Sequence, residues 1–244
     1  MTELNATVAR KILSIVDHGL VRGQGRPVPG ELCVEAAVCL ALGLPHGDRP
    51  PCVAAPDRAF KIHLNDASWS TPTARAVGLR RVAVMQLGTN GLARGHWLRA
   101  LAELTIRRVV PEALLAVARA TPSHAEALTA AANRCRAEGT EASARAAKVA
   151  ADYAADYAAD YAAYAAYAAY AAYAAAYAAY AAAHAAYAAA DAAADAADAA
   201  AYAAYAAERD RILTIAARCA EEAYELTGSP GVDLLRQIEA EEQL

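Results

Sequence analysis

Six residues between positions 33 and 52 carry the side chains best suited to chemistry: Cys33, Glu35, Cys39, His46, Asp48 and Cys52. Glu35 and Cys39 are spaced i, i+4, so a helix here puts them on one face. The Pro/Gly loop that follows, Gly43 to Pro56, would bring His46 and Cys52 back towards that face. Thiolate, imidazole and carboxylate together suit zinc. Residues 31–66 are therefore a candidate metal-binding module or small metal-dependent enzyme, with Cys33, Glu35, Cys39, His46 and Cys52 as ligands. The spacing argues against it, because C-x5-C and H-x5-C are not the close pairs of structural zinc sites. In the structural alternative Cys33 and Cys39 are small buried apolar residues. Glu35 then pairs locally, and His46 and Asp48 shape a turn. The structural alternative is the stronger, and no cofactor is expected.

Other polar residues are weaker candidates. Asn65-Asp66 followed by Trp69 offers either a polar site beside an aromatic wall or a helix end with a tryptophan packed under the loop. His63, His96 and His124 are scattered. Arg80-Arg81 and Arg107-Arg108 read as solvated helix faces. The chain carries no nucleophile elbow, P-loop, HExxH or dinucleotide fingerprint.

The elements that must position these residues read as helices. Thr2 to Asp17 has apolar residues (Val8, Ile12, Ile15, Val16) at helical spacing. His18 to Gly30 is a Gly/Pro loop. Glu31 to Leu42 is apolar nearly all round, as in a buried helix. Asp57 to Asn65 is predicted helical, with Phe60, Ile62 and Leu64 inward. Ser70-Thr71-Pro72 is a start signal for a helix to about Leu87, stopped at Gly88. Trp97 to Val110 forms another helix, and Pro111 opens the next. Thr121-Pro122-Ser123 starts one that ends at Gly139. No period-2 strand is evident, so the module at 1–138 is all-α. Its predicted core is Cys33, Val34, Ala37, Val38, Leu40, Phe60, Leu64, Leu79, Val82, Trp97 and Leu101.

From Thr140 to Thr227 there is no Gly or Pro, and Ala150 to Ala207 is almost wholly alanine broken by Tyr, Asp and one His. Alanine has the highest helix propensity, so 139–228 is predicted to be one very long helix, with a bend near 191–198 where three Asp cluster. Unbroken, it would reach roughly 130 Å. Such a rod must project, fold back as a hairpin or form a coiled coil with another chain. The non-alanine positions recur about every 3.4 residues, near the coiled-coil repeat. Tyr173, Tyr177, Tyr180, His184, Tyr187, Tyr202 and Tyr205 form one coherent seam opposite a broad alanine face. Slippage of a three-codon unit would produce the same pattern without selection. Residues 229–244 are predicted to form a short C-terminal helix.

The net charge is −4 with no basic patch, so nucleic acid is not an expected partner. No apolar run approaches the roughly 20 residues needed to span a bilayer. The N-terminus lacks a signal-peptide core, which points to the cytoplasm. Five cysteines, an odd number, fit reduced thiols better than a disulfide framework.

The segments CVEAAVC, LPHGDRPPCV, RAFKIHLND and LRRVAVMQLGT resemble a family of uncharacterised bacterial and phage-associated proteins. The likeness extends more loosely through Val109 to Leu114 and Cys135. It implies similar domain limits and a following alanine-rich region, and it brings no activity. The expected function is that of a non-enzymatic helical interaction or scaffold protein. It would self-associate, or pack on another helical protein, through the alanine face. Weaker alternatives are an immunity or defence role and an ice-binding helix.

Overall fold

The computed structural model describes residues 3–92, 94–120, 122–155 and 206–243. It is all-α. Among the described residues there is no strand, only an isolated bridge between Gly25 and Leu32. The chain runs α1 (Ala6–Val16), α2 (Val34–Ala41), α3 (Ala55–Asp66), α4 (Pro72–Met85) and α5 (Arg94–Leu104). It continues through α6 (Val110–Ala120), α7 (Ala125–Glu138) and α8 (Glu141–Ala155), then α9 (Ala206–Thr227) and α10 (Pro230–Glu241).

The helix starts follow local chemistry. Asn5, Cys33 and Thr71 stand at N-caps, and their side chains accept from the backbone N–H of Val8, Ala36 and Ala74. Each satisfies a donor that the first turn leaves open. Thr140 and Ser143 cap α8 reciprocally: Ser143 N–H donates to the Thr140 hydroxyl and Thr140 N–H to the Ser143 hydroxyl.

Pro111 stands in the first turn of α6, as expected, but no break separates that helix from the one before it. Thr105–Val109 is a π-turn joining α5 to α6, in which Val110 N–H donates to the Thr105 carbonyl. Inside a helix proline removes one hydrogen bond and pushes on the carbonyl four residues back. The extra residue of a π-turn absorbs that conflict. Pro111 therefore sits within a continuous helical path.

The inward face of α3 also differs from the expectation. Ile62 is half-exposed, while Asp57, Phe60, Lys61, Leu64 and Asn65 are buried. A 60/62/64 set has the spacing of a strand. A helix buries residues three and four apart.

The main core joins α1–α5 to α9 and α10. Ten of the eleven residues expected there are buried, and Leu40 is half-buried against them. Helix α9 lays Ile212, Leu213, Ala216, Ala220 and Tyr224 against α4 and α5. Helix α10 docks on the end of α4: Ser229 Oγ donates to the Met85 carbonyl at 2.5 Å and Gly231 N–H to the Leu87 carbonyl at 3.0 Å. A Cβ at Gly231 would lie 2.1 Å from the Val84 oxygen, so only glycine permits this approach. A second, smaller core lies among α6, α7 and α8, closed by Ala144, Ala147 and Ala151.

The long helix expected over 139–228 is seen only at its two ends, α8 and α9. The bend near 191–198 and the seam from Tyr173 to Tyr205 lie outside the described residues. No helix among the described residues is long and apolar enough to cross a membrane.

Candidate functional site

Of the expected metal ligands, Glu35, Cys39 and Cys52 lie within one another's electrostatic reach, while Cys33 caps α2 and His46 turns to the Gly25 carbonyl. Cys33 Sγ accepts from Ala36 N–H at 3.3 Å, and burial pushes its thiol up to about 12. Burial likewise raises Cys39 to about 11 and raises Cys52. The ring of His46 lies on the exposed loop with Nε2 3.1 Å from the Gly25 carbonyl oxygen. Asp48 stands 3.8 Å from Arg49. Glu35 faces Lys61 instead. Among the described residues, no group of three or more His, Cys, Asp or Glu is placed to hold a metal ion.

Asn65 and Asp66 act as struts. Asn65 Oδ1 accepts from Val34 N–H at 3.1 Å, and its amide donates to the Val21 carbonyl at 2.8 Å. Asp66 accepts from Gly23 N–H at 2.7 Å. Arg75 adds bonds to the carbonyls of Asn65 and Leu20. Together they hold the 18–33 loop against α3 and α4. Trp69 packs over Gly78, where a Cβ would meet its ring at 2.2 Å, and its indole donates to the Leu64 carbonyl at 2.8 Å.

The most unusual group is one the spacing arguments passed over. Glu35 on α2 meets Lys61 on α3 at 2.9 Å, and both side chains are 0% exposed. Asp57, one turn before Lys61, is also buried and accepts from the Thr89 hydroxyl. It stands in the first turn of α3, where the helix dipole favours a negative charge. Tyr224 of α9 closes the cluster from the other side. Its ring stacks on Trp97 at 5.4 Å, and Trp97 meets Phe60 edge-on at 6.1 Å. Burial raises the carboxyls of Glu35 and Asp57 and the phenol of Tyr224, and it lowers the Lys61 ammonium. The mutual attraction of Glu35 and Lys61 works against the first and last of these shifts. The arrangement can hold a proton between Glu35 and Lys61. It is enclosed in the core, so it differs from an open catalytic cleft.

The paired arginines are not simply solvated faces. Arg80 forks onto Asp17, and Arg81 reaches Glu221 and Glu239. Arg107 donates to the carbonyls of Arg136, Ala137 and Glu138 at the end of α7, and Arg108 pairs with Glu222. Three of the four tie α9 or α10, or the α7 terminus, to the rest of the molecule, and Arg80 ties α4 to α1. A further network runs Arg136–Glu112–Arg211–Glu208–Arg119 along the α6/α9 seam.

The proton-holding cluster could have been found from one signal. Asp57 and Lys61 are an i, i+4 pair that shares the face of Phe60 and Leu64. No family model, curated protein or solved structure matches this chain.

Proposed function

We propose that the protein is a non-enzymatic helical interaction or scaffold protein. Its alanine-rich segment packs on itself or on another helical protein through the alanine face. The observation that supports this reading is the docking of α8. That helix leads into the repeat and meets its neighbours through Ala144, Ala147 and Ala151, each 0% exposed. Small residues at i, i+3 and i+7 let helices approach near the 8 Å end of packing distances. The same stripe continued through the repeat would offer many turns of shallow burial. At roughly 25 cal/mol per Å² these add up to several kcal/mol. The cytoplasm, where the five free thiols stay reduced, is the compartment we assign.

The test is sedimentation of the native chain and of a variant carrying Ala175→Glu, Ala182→Glu and Ala189→Glu. By helical spacing these positions lie opposite the tyrosine seam. The native chain is expected to associate, and the variant to fall to monomer. A native chain that already sediments as an extended monomer, unchanged by the substitutions, would remove the proposal.

A further inference from the structure

The core around Lys61 is polar in a way that packing alone does not satisfy. Outside the Glu35–Lys61 contact, both Glu35 oxygens, the Lys61 ammonium, the Tyr224 hydroxyl and the Trp97 indole N–H lack a hydrogen-bond partner within the protein. The 2.9 Å ion pair between Lys61 and Glu35 engages one donor site of the ammonium and one carboxylate oxygen and leaves the others open. These residues are 97–100% buried. They also belong together. Tyr224 lies within the field of Glu35 and Asp57, its ring stacks on Trp97, and Lys61 pairs with Glu35 within the field of Asp57.

A buried polar atom left dry loses its hydration without return. Here several such atoms, from α2, α3, α5 and α9, meet in one enclosed region. An ammonium offers three donors, a carboxylate about four acceptor sites and a phenol one of each. Water supplies both kinds, and buried waters typically serve two to four polar partners. A bare cation would face the Lys61 ammonium, and a bare anion would face Glu35 and Asp57. A neutral molecule that both donates and accepts fits the whole set.

We propose that the Glu35–Lys61–Tyr224 cluster is an internal water-binding site. One or more ordered waters bridge the carboxylate and ammonium to the Tyr224 hydroxyl. The site is independent of the scaffold reading, and so is its test. Tyr224→Phe keeps the ring, its stacking and its volume, and removes only the hydroxyl.

Magnetic relaxation dispersion of water oxygen counts long-lived internal waters, and thermal unfolding is followed on the same samples. The native protein is expected to hold at least one long-lived water that Tyr224→Phe lacks. The melting temperature of the variant is expected to fall by about 2–4 °C, as for the loss of one satisfied hydrogen bond. If the hydroxyl sits dry, the same substitution removes an unsatisfied group. Equal water counts, with an unchanged or raised melting temperature, would overturn the proposal.

Discussion

The centre of the molecule and the seam between α6 and α9 hold charge in opposite ways. At the centre Glu35 and Lys61 meet with no exposure and no hydrogen-bonded support from the protein. At the seam Glu112 accepts from both Arg136 and Arg211, and Glu208 from Arg211 and Arg119, with side chains 20–56% exposed. The seam keeps water within reach, so each pair is cheap to form and cheap to lose. The centre is closed to bulk solvent, so each partner depends on the other. Stability therefore rests unevenly on residues that look alike in a charge count.

The largest expected effect comes from breaking the central pair on one side. Lys61→Met should cost about 3–5 kcal/mol in denaturant unfolding, because it leaves Glu35 buried and unpaired. Adding Glu35→Leu should restore most of that loss, since an apolar pair of similar volume is often neutral or better. A single change as mild as a surface substitution would break the comparison. At the seam, Glu112→Gln should cost only about 0.2–1 kcal/mol, and the loss should shrink in high salt.

The carboxyls of the two regions should also respond to pH with opposite sign, which is the smallest and sharpest test. The arginines beside Glu112 and Glu208 hold their carboxyls below the usual 4.5. Their contribution is complete above 4.5 and is lost as pH falls through the lowered values. Burial holds Glu35 and Asp57 above their usual 4.5 and 3.8. Their contribution is complete below those values and is lost as pH rises through the raised ones. Unfolding free energies measured from about pH 3 to pH 8 should show Glu112→Gln flattening the acid limb and leaving the neutral limb unchanged. A flattened neutral limb would mean that the seam and the centre are coupled.

Much of the fold could be read from residue types. Thr71-Pro72 marked the start of α4, Gly139 the end of α7, and the period of Val8, Ile12, Ile15 and Val16 the buried side of α1. Two things hid the rest. A lysine at 61 looks like a surface residue, because burial of a charge depends on a partner 26 positions away that no local window contains. The second is tertiary override. Pro111 is a sound start signal by propensity, yet the packing of Val109 in one core and of Ile106 and Val110 in the other holds the helix through a π-turn. Likewise Tyr224 falls in the long helix expected over 139–228 with no core role assigned to it, although its ring is a keystone of the main core.

That placement of α9 has a consequence for how the chain is made. Residues 206–243 cover the apolar sides of α4 and α5, and they leave the ribosome after every other part of that core. At about 5–20 residues per second, synthesis of the stretch from 156 to 205 takes roughly 3–10 s. Throughout that interval Phe60, Trp97 and Leu101 lack their final cover, and Glu35 and Lys61 lack the tyrosine that encloses them. A nascent chain waiting at residue 205 is a half-built core with an open acid–base pair. Its exposure to chaperones and proteases is set by the length of the repeat that delays its closure.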